Sequence, residues 1–207
     1  NASTSEGLFW ETFNAAGVLQ VPMVIIVWDD EYGISVHARH QTTKENISKI
    51  QAGFQRDEND KGYELLQVSG WNYSELMEVY EKAGEIARTE HVPVMIHVQE
   101  LTQPQGHSTS GSHERYKDED RLNWEREHDC NKKFREWIIE MDFATDEELS
   151  AIEKDLKKQV REGKKAAWEA FMQPMIAEKE EAMPLLMAVA NASTNKNFIL
   201  PVINAFR

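Results

Sequence analysis

The chain has 207 residues, 41% of them hydrophobic, with one cysteine and a formal net charge of -13. That length accommodates one large domain, or a domain with an appendage. The acidic balance weighs against binding a nucleic-acid backbone, which demands Lys and Arg. The lone Cys130 excludes an intrachain disulfide and fits a reducing compartment, and no apolar run approaches the roughly 20 residues that span a bilayer.

In chain order, Asn1 to Gly7 reads as a polar turn. Leu8, Phe13, Ala16 and Leu19 then recur at helical spacing. After Pro22, Met23 to Trp28 is an unbroken apolar run of strand length, the pattern of a strand covered on both faces. A second polar turn, Asp29-Asp30-Glu31-Tyr32-Gly33, follows it. Thr42 and Glu45 fit a capping box, and Ile47, Ile50 and Phe54 continue a helical stripe. Glu64 to Val68 predicts a second strand, Gly70 a turn, and Asn72 or Ser74 the cap of a helix carrying Leu76, Val79, Tyr80 and Ala83. Val94 to Val98 predicts a third strand. Strands alternating with helices imply an α/β fold, a parallel sheet with helices on both faces. Ligands of such sheets sit beyond the carboxyl ends of the strands, where the turns at 29–35, 69–72 and 101–112 fall.

From residue 114 the charges become dense. Phe134, Trp137, Ile138 and Met141 form one amphipathic stripe, and Thr145 with Glu148 opens another helix through Leu149, Ile152, Leu156 and Val160. Pro174 and Pro184 are expected to interrupt it. The pattern predicts three parts: an α/β core over 1–113, a helical appendage over 114–183, and a linker over 184–207. There is no internal repeat, no low-complexity tract and no Gly-rich nucleotide-binding signature.

Two of the turns carry chemistry. Asp29, Asp30 and Glu31 offer oxygen ligands to a hard cation such as Mg²⁺, which is often held by one or two side chains plus substrate phosphates. A solvated acidic turn accounts for the same residues. The segment Gln103 to His113 is rich in hydroxyls and glycine, with two histidines, and can donate to an anion. A plain surface loop accounts for it equally. His37, His40, His91, His97 and His128 lack metal-ligand spacing and read as structural histidines, and Trp137 and Trp168 read as core.

These residues resemble the α-type, thiamin-diphosphate-binding part of the E1 component of 2-oxo acid dehydrogenase complexes. The matches are Glu6-Gly7, Phe9 to Ala16, Met23 to Trp28, Asp29 to Ser35, and Gly106-His107-Ser108-Thr109-Ser110 with Arg115-Tyr116, spanning roughly residues 1 to 172. The resemblance implies that Asn1, Asp30 and the Tyr32 carbonyl bind Mg²⁺. It implies that Gly33, Ile34 and Ser35 line thiamin diphosphate, and that His107 is catalytic and also borders the cofactor. Ser108 matches a position phosphorylated in some relatives, where added charge would repel the diphosphate. Two departures stand out. The family's metal-binding Asp falls on Asn1 and its Asn on Asp30, so the carboxylate and carboxamide are exchanged, or Asn1-Ala2 is an expression remnant. Gln103 stands where many relatives carry Arg.

The implied reaction is oxidative decarboxylation of a 2-oxo acid, with acyl transfer to a lipoyl arm of E2. The Ser-Thr-Ser loop favours a branched-chain acid over pyruvate. The implied partners are the β-type half of E1, which supplies the activating glutamate, and lipoyl-bearing E2, in a homo- or hetero-oligomer without nucleic acid or membrane. A chain opening mid-motif is expected to be a piece of a larger protein, inactive alone, with Phe198 to Pro201 leading towards the partner half. A cytoplasmic location in a bacterium, or the mitochondrial matrix in a eukaryote, fits this role. A transketolase-like enzyme and a non-catalytic acidic interaction domain remain as alternatives.

Overall fold

The computed structural model describes residues 2–107 and 112–206. Asn1 and Ser108, an expected metal ligand and an expected phosphorylation site, lie outside them. The chain divides into two compact units, Asn1–Ala144 and Thr145–Arg207.

The first unit is an α/β layer structure. Helix α1 (Gly7–Leu19) leads through an extended connection into β1 (Val24–Trp28). A two-residue hairpin, β2 (Tyr32–Gly33) and β3 (Val36–His37), follows, then the short helix α2 (Ile47–Gln51). Next come β4 (Glu64–Ser69), α3 (Tyr73–Thr89) and β5 (Val94–Gln99). The main sheet has the order β1-β5-β4, with both pairings parallel. Val24, Val94 and Glu64 stand side by side across it.

The central strand explains its own sequence. Alternate side chains of a strand point to opposite faces. Val94, Ile96 and Val98 enter one core with Val68, Ala83, Ile86 and Ala87 under α3. Met95 enters the other with Phe13, Ala16, Val27, Ile47 and Tyr63 under α1 and α2. Phe13 and Tyr63 stack there, their rings 4.0 Å apart. With both faces covered, β5 needs apolar residues at nearly every position, and within 94–98 only His97 departs from this.

Helix starts follow the expected capping chemistry in part. Asn72 caps α3 by accepting from the Glu75 N–H. The Thr42–Glu45 box does not form. Lys44 and Glu45 both take positive φ, which breaks the turn, and Asn46 caps α2 by accepting from the Lys49 N–H.

Residues 114–144 group with the first unit, whereas the sequence pattern set the appendage off at 114. Helices α4 (Glu119–Glu127) and α5 (Cys130–Glu140) lie here. Tyr73 of α3 packs against Phe134 and Trp137 of α5 at 4.4 and 4.7 Å between ring centres, so the aromatic stripe is spent within this unit.

The second unit is helical. Helix α6 runs unbroken from Asp146 to Ala192, opened by the Thr145–Glu148 capping box, and α7 (Lys196–Phe206) packs on it. The backbone donor at Thr145 holds the Glu148 carboxyl below its ordinary range. Pro174 and Pro184 lie inside α6 and do not end it. Each proline removes one N–H, and strong helix formers on both sides carry the helix through. The stretch expected as a linker is thus helical on both sides of a short break at 193–195. No helix among the described residues is long and apolar enough to cross a membrane.

Candidate functional site

β1 and β5 end together, and the chain leaving β1 makes a tight turn there. Asp29 is held on four sides. Its N–H donates to the Val98 carbonyl (2.9 Å), and its carbonyl accepts from the Leu101 N–H (3.1 Å). Oδ1 accepts from the Glu31 N–H (2.7 Å), and Oδ2 lies 2.9 Å from Nε2 of His97. One residue on, Asp30 Oδ1 accepts from the Tyr32 N–H at 3.2 Å. Such carboxylate-to-backbone bonds stabilise turns.

The turn is strained. Glu31 sits at φ 68° and Ile34 at φ 59°. Ile34 opens the two-residue loop between β2 and β3, a place where φ is positive and glycine is the usual choice. A β-branched side chain there is a true outlier, the kind of strain that concentrates at binding sites. The neighbouring Gly33 leaves room for Gln41, whose amide would lie 2.6 Å from any added Cβ.

A charged clasp closes on the same turn from α4. Lys117 and Glu125 are almost wholly buried, with Lys117 Nζ at 2.7 and 3.0 Å from the two Glu125 oxygens. Lys117 also donates to the Gln103 carbonyl (3.1 Å). Arg121 donates to Glu125 (3.0 Å), to the Asp30 carbonyl (3.1 Å) and to Glu31. Lys117 Nζ and the Arg121 guanidinium lie 5.2 and 5.8 Å from the Tyr32 ring centre, within cation–π range. Burial raises the Tyr32 hydroxyl above its ordinary value, with Arg121 opposing. The clasp joins the root of the 103–107 segment to the turn through α4.

Between turn and loop lies a cleft of about 410 Å³, lined by Ala2, Ser3, Trp28, Asp30, Tyr32, Gly33, Ile34, Leu101, Thr102, Gln103 and His107. It sits beyond the carboxyl ends of β1 and β5, where such sheets take ligands. Five of the expected site residues, Asp30, Tyr32, Gly33, Ile34 and His107, converge on it. Ser35 does not line it; it occupies the exposed second position of the hairpin loop. Gly106 needs no side chain for two reasons. Its φ is 65°, and a Cβ would meet the Tyr116 hydroxyl at 2.5 Å. A larger space of about 700 Å³ lies along α6 alone, lined from Ser150 to Arg161. No second element brings convergent groups to it.

Lys117, Arg121 and Glu125 were invisible as site residues in the sequence. Their spacing is that of an ordinary charged helix face. Trp28 was assigned to strand packing, yet it is mostly exposed, lines the cleft and donates to the Tyr80 hydroxyl at 3.3 Å.

A family model described as dehydrogenase E1 component matches residues 1–176. The chain belongs to the dehydrogenase E1 component family. Among similar proteins is the pyruvate dehydrogenase E1 component subunit alpha of Rickettsia bellii (strain RML369-C). It is 24% identical over 162 residues, covering 78% of this chain and 47% of that protein. The 2-oxoisovalerate dehydrogenase subunit alpha 1, mitochondrial, of Arabidopsis thaliana is 27% identical over 177 residues, covering 84% of this chain and 36% of that protein. The pyruvate dehydrogenase E1 component subunit alpha of Rhizobium meliloti (strain 1021) is 24% identical over 159 residues, covering 76% and 43%. The chain spans about half the length, or less, of these curated relatives.

The E1 family depends on thiamin diphosphate, and the donor set at the cleft suits a metal-bound diphosphate. Asp30 has a second carboxylate oxygen beyond the one engaged by Tyr32, and hard oxygen donors match a hard cation. No cluster of three or more His, Cys, Asp or Glu that could hold a metal occurs among the described residues. A cation here would therefore complete its shell with phosphate oxygens, as Mg²⁺ commonly does.

Proposed function

We propose that this chain is the diphosphate-binding part of a 2-oxo acid dehydrogenase E1, acting with a β-type half and a lipoyl-bearing E2. The observation that carries the reading is the cleft at the ends of β1 and β5, bordered by Asp30, Tyr32, Gly33, Ile34 and His107, in a chain of the E1 family.

In this reading Asp30 and the Tyr32 carbonyl hold Mg²⁺, with Asn1 as a further ligand from the start of the chain. The Asx bond from the Tyr32 N–H keeps Asp30 turned towards its own backbone. Asp30 therefore meets the cation without the entropy cost of ordering a free side chain. Gly33 and Ile34 border the cofactor, with Ser35 next in the hairpin. His107, on the opposite wall, can exchange a proton with a phosphate oxygen or with the group leaving for E2. When bound, thiamin diphosphate supplies the carbanion chemistry that releases CO₂ from a 2-oxo acid. Phosphate added to Ser108 would add about two negative charges that repel the diphosphate and substrate, or would disorder the loop.

The preferred acid is a branched-chain 2-oxo acid, on the strength of Ser108-Thr109-Ser110. Several similar proteins are named as pyruvate dehydrogenases, so pyruvate is the competitor to test against 2-oxoisovalerate. The decisive experiment is calorimetric titration of thiamin diphosphate, with and without Mg²⁺, into the full-length protein with its β-type half. Mg²⁺-dependent binding that disappears in Asp30→Ala is expected. Binding that ignores both Mg²⁺ and Asp30 sinks the proposal.

A further inference from the structure

We propose that a buried Ser48–His97–Asp29 relay positions the metal turn, fixing the backbone that presents Asp30 and the Tyr32 carbonyl. This rests on the reading of the cleft given above.

His97 is fully buried at the fourth position of β5, where a strand covered on both faces calls for an apolar residue. Its two ring nitrogens are both engaged. Nε2 lies 2.9 Å from Asp29 Oδ2, and Nδ1 lies 2.8 Å from Ser48 Oγ. A carboxylate only accepts, so Nε2 carries the hydrogen, and the Ser48 hydroxyl, which can donate or accept, pairs with Nδ1. Ser48 belongs to α2, whose capping Asn46 donates to Gln99 at the end of β5 (3.1 Å). The relay therefore ties α2 through the central strand to Asp29, the first residue after β1 and directly before Asp30.

The trio has the composition of a hydrolytic triad, but its placement excludes that role. None of the three lines the cleft, and Ser48 is 6% exposed. Its hydroxyl has no access to a substrate. Nor does a sheet interior call for such a trio, since well-packed apolar side chains serve there as well as or better than buried polar groups. What it does supply is direction. With Oδ2 held by His97, the Asp29 carboxylate is oriented so that Oδ1 accepts from the Glu31 N–H. That bond retains Glu31 in the left-handed conformation that a non-glycine residue otherwise avoids. The chain then reverses at Glu31 and sets Asp30 and Tyr32 on the cleft wall. Partners behind a metal-binding residue commonly alter metal affinity about 10- to 100-fold.

The test uses the full-length protein with its β-type half, carrying His97→Leu or Ser48→Ala. Three quantities are read: Mg²⁺ affinity at fixed thiamin diphosphate, amide exchange across residues 29–35 against that of α3, and melting temperature. The expected result for His97→Leu is Mg²⁺ affinity weakened about tenfold or more, with faster exchange confined to 29–35. Ser48→Ala moves both in the same direction by less. A lower melting temperature with unchanged affinity and unchanged exchange at the turn means a merely structural trio and overturns the proposal. If His97→Leu does not fold, Ser48→Ala decides on the same terms. If the wild-type protein binds no thiamin diphosphate, the cofactor reading fails on its own. Exchange at the turn then decides the relay: faster in Ser48→Ala supports it, unchanged overturns it.

Discussion

Removing the carboxylate of Glu125 is expected to destabilise the first unit by about 3–5 kcal/mol, the cost of breaking a buried ion pair from one side. Glu125 and Lys117 are each 1% exposed at the side chain. Glu125 accepts two hydrogen bonds from Lys117 and one from Arg121. In Glu125→Ala, Arg121 keeps Glu31 and the Asp30 carbonyl, whereas Lys117 keeps, among the described residues, the Gln103 carbonyl and the face of Tyr32 but no counter-ion. The orphaned ammonium dominates the loss. At about 2–4 °C per kcal/mol for a unit of this size, the melting temperature falls by roughly 10 °C. Urea unfolding followed by tryptophan fluorescence reads this directly, since Trp124 lies 4.8 Å from the Arg121 guanidinium. The double variant Glu125→Ala/Lys117→Met removes the orphan charge and should recover part of the loss. Because the clasp holds the Asp30 carbonyl, Mg²⁺ affinity should fall as well. A single variant within about 1 kcal/mol of wild type, or a double variant as unstable as the sum of the singles, refutes the reasoning.

Two further outcomes follow from the core. Tyr63→Phe loses the buried hydroxyl bond to the Phe13 carbonyl (2.7 Å) and should cost about 1 kcal/mol. Burial pushes the Tyr63 hydroxyl up to about 12 from 10.0, so the unfolded chain surrenders this proton first as pH rises. Its contribution is therefore intact below about pH 10 and is lost as pH rises through about 12. Denaturant titrations along that range should show an alkaline loss in wild type that Tyr63→Phe lacks. Gln51 is fully buried, and neither amide atom finds a partner among the described residues. Gln51→Met, close to it in volume, should raise stability by about 1–2 kcal/mol. A lower urea midpoint in that variant would show that the amide is satisfied after all.

Local sequence determined most of the α/β unit. The segments at 23–28, 64–68 and 94–98 all read as strands and are strands, but only the central 94–98 is buried on both faces. β1 lies at the sheet edge and leaves Ile26 and Trp28 exposed, against the expectation for its apolar run. Asn72 and Thr145 marked helix starts through bonds that span three residues. The acidic turn and the histidine segment were legible too, because both leave strands at the ligand edge of the sheet. Where local signals competed, they misled. The Thr42 box lost to Asn46, and Pro174 and Pro184 were outweighed by the helix formers around them. Tertiary structure alone decided what holds the site. Arg121 reaches the Asp30 carbonyl across 91 residues of chain, and His97 reaches Asp29 across 68 and Ser48 across 49. A charged helix face and a lone strand histidine look the same in sequence whether solvated or buried. Only the parallel pairing of β1 with β5, and the packing of α2 and α4 at their ends, brings these groups into contact and removes the water that would otherwise satisfy them.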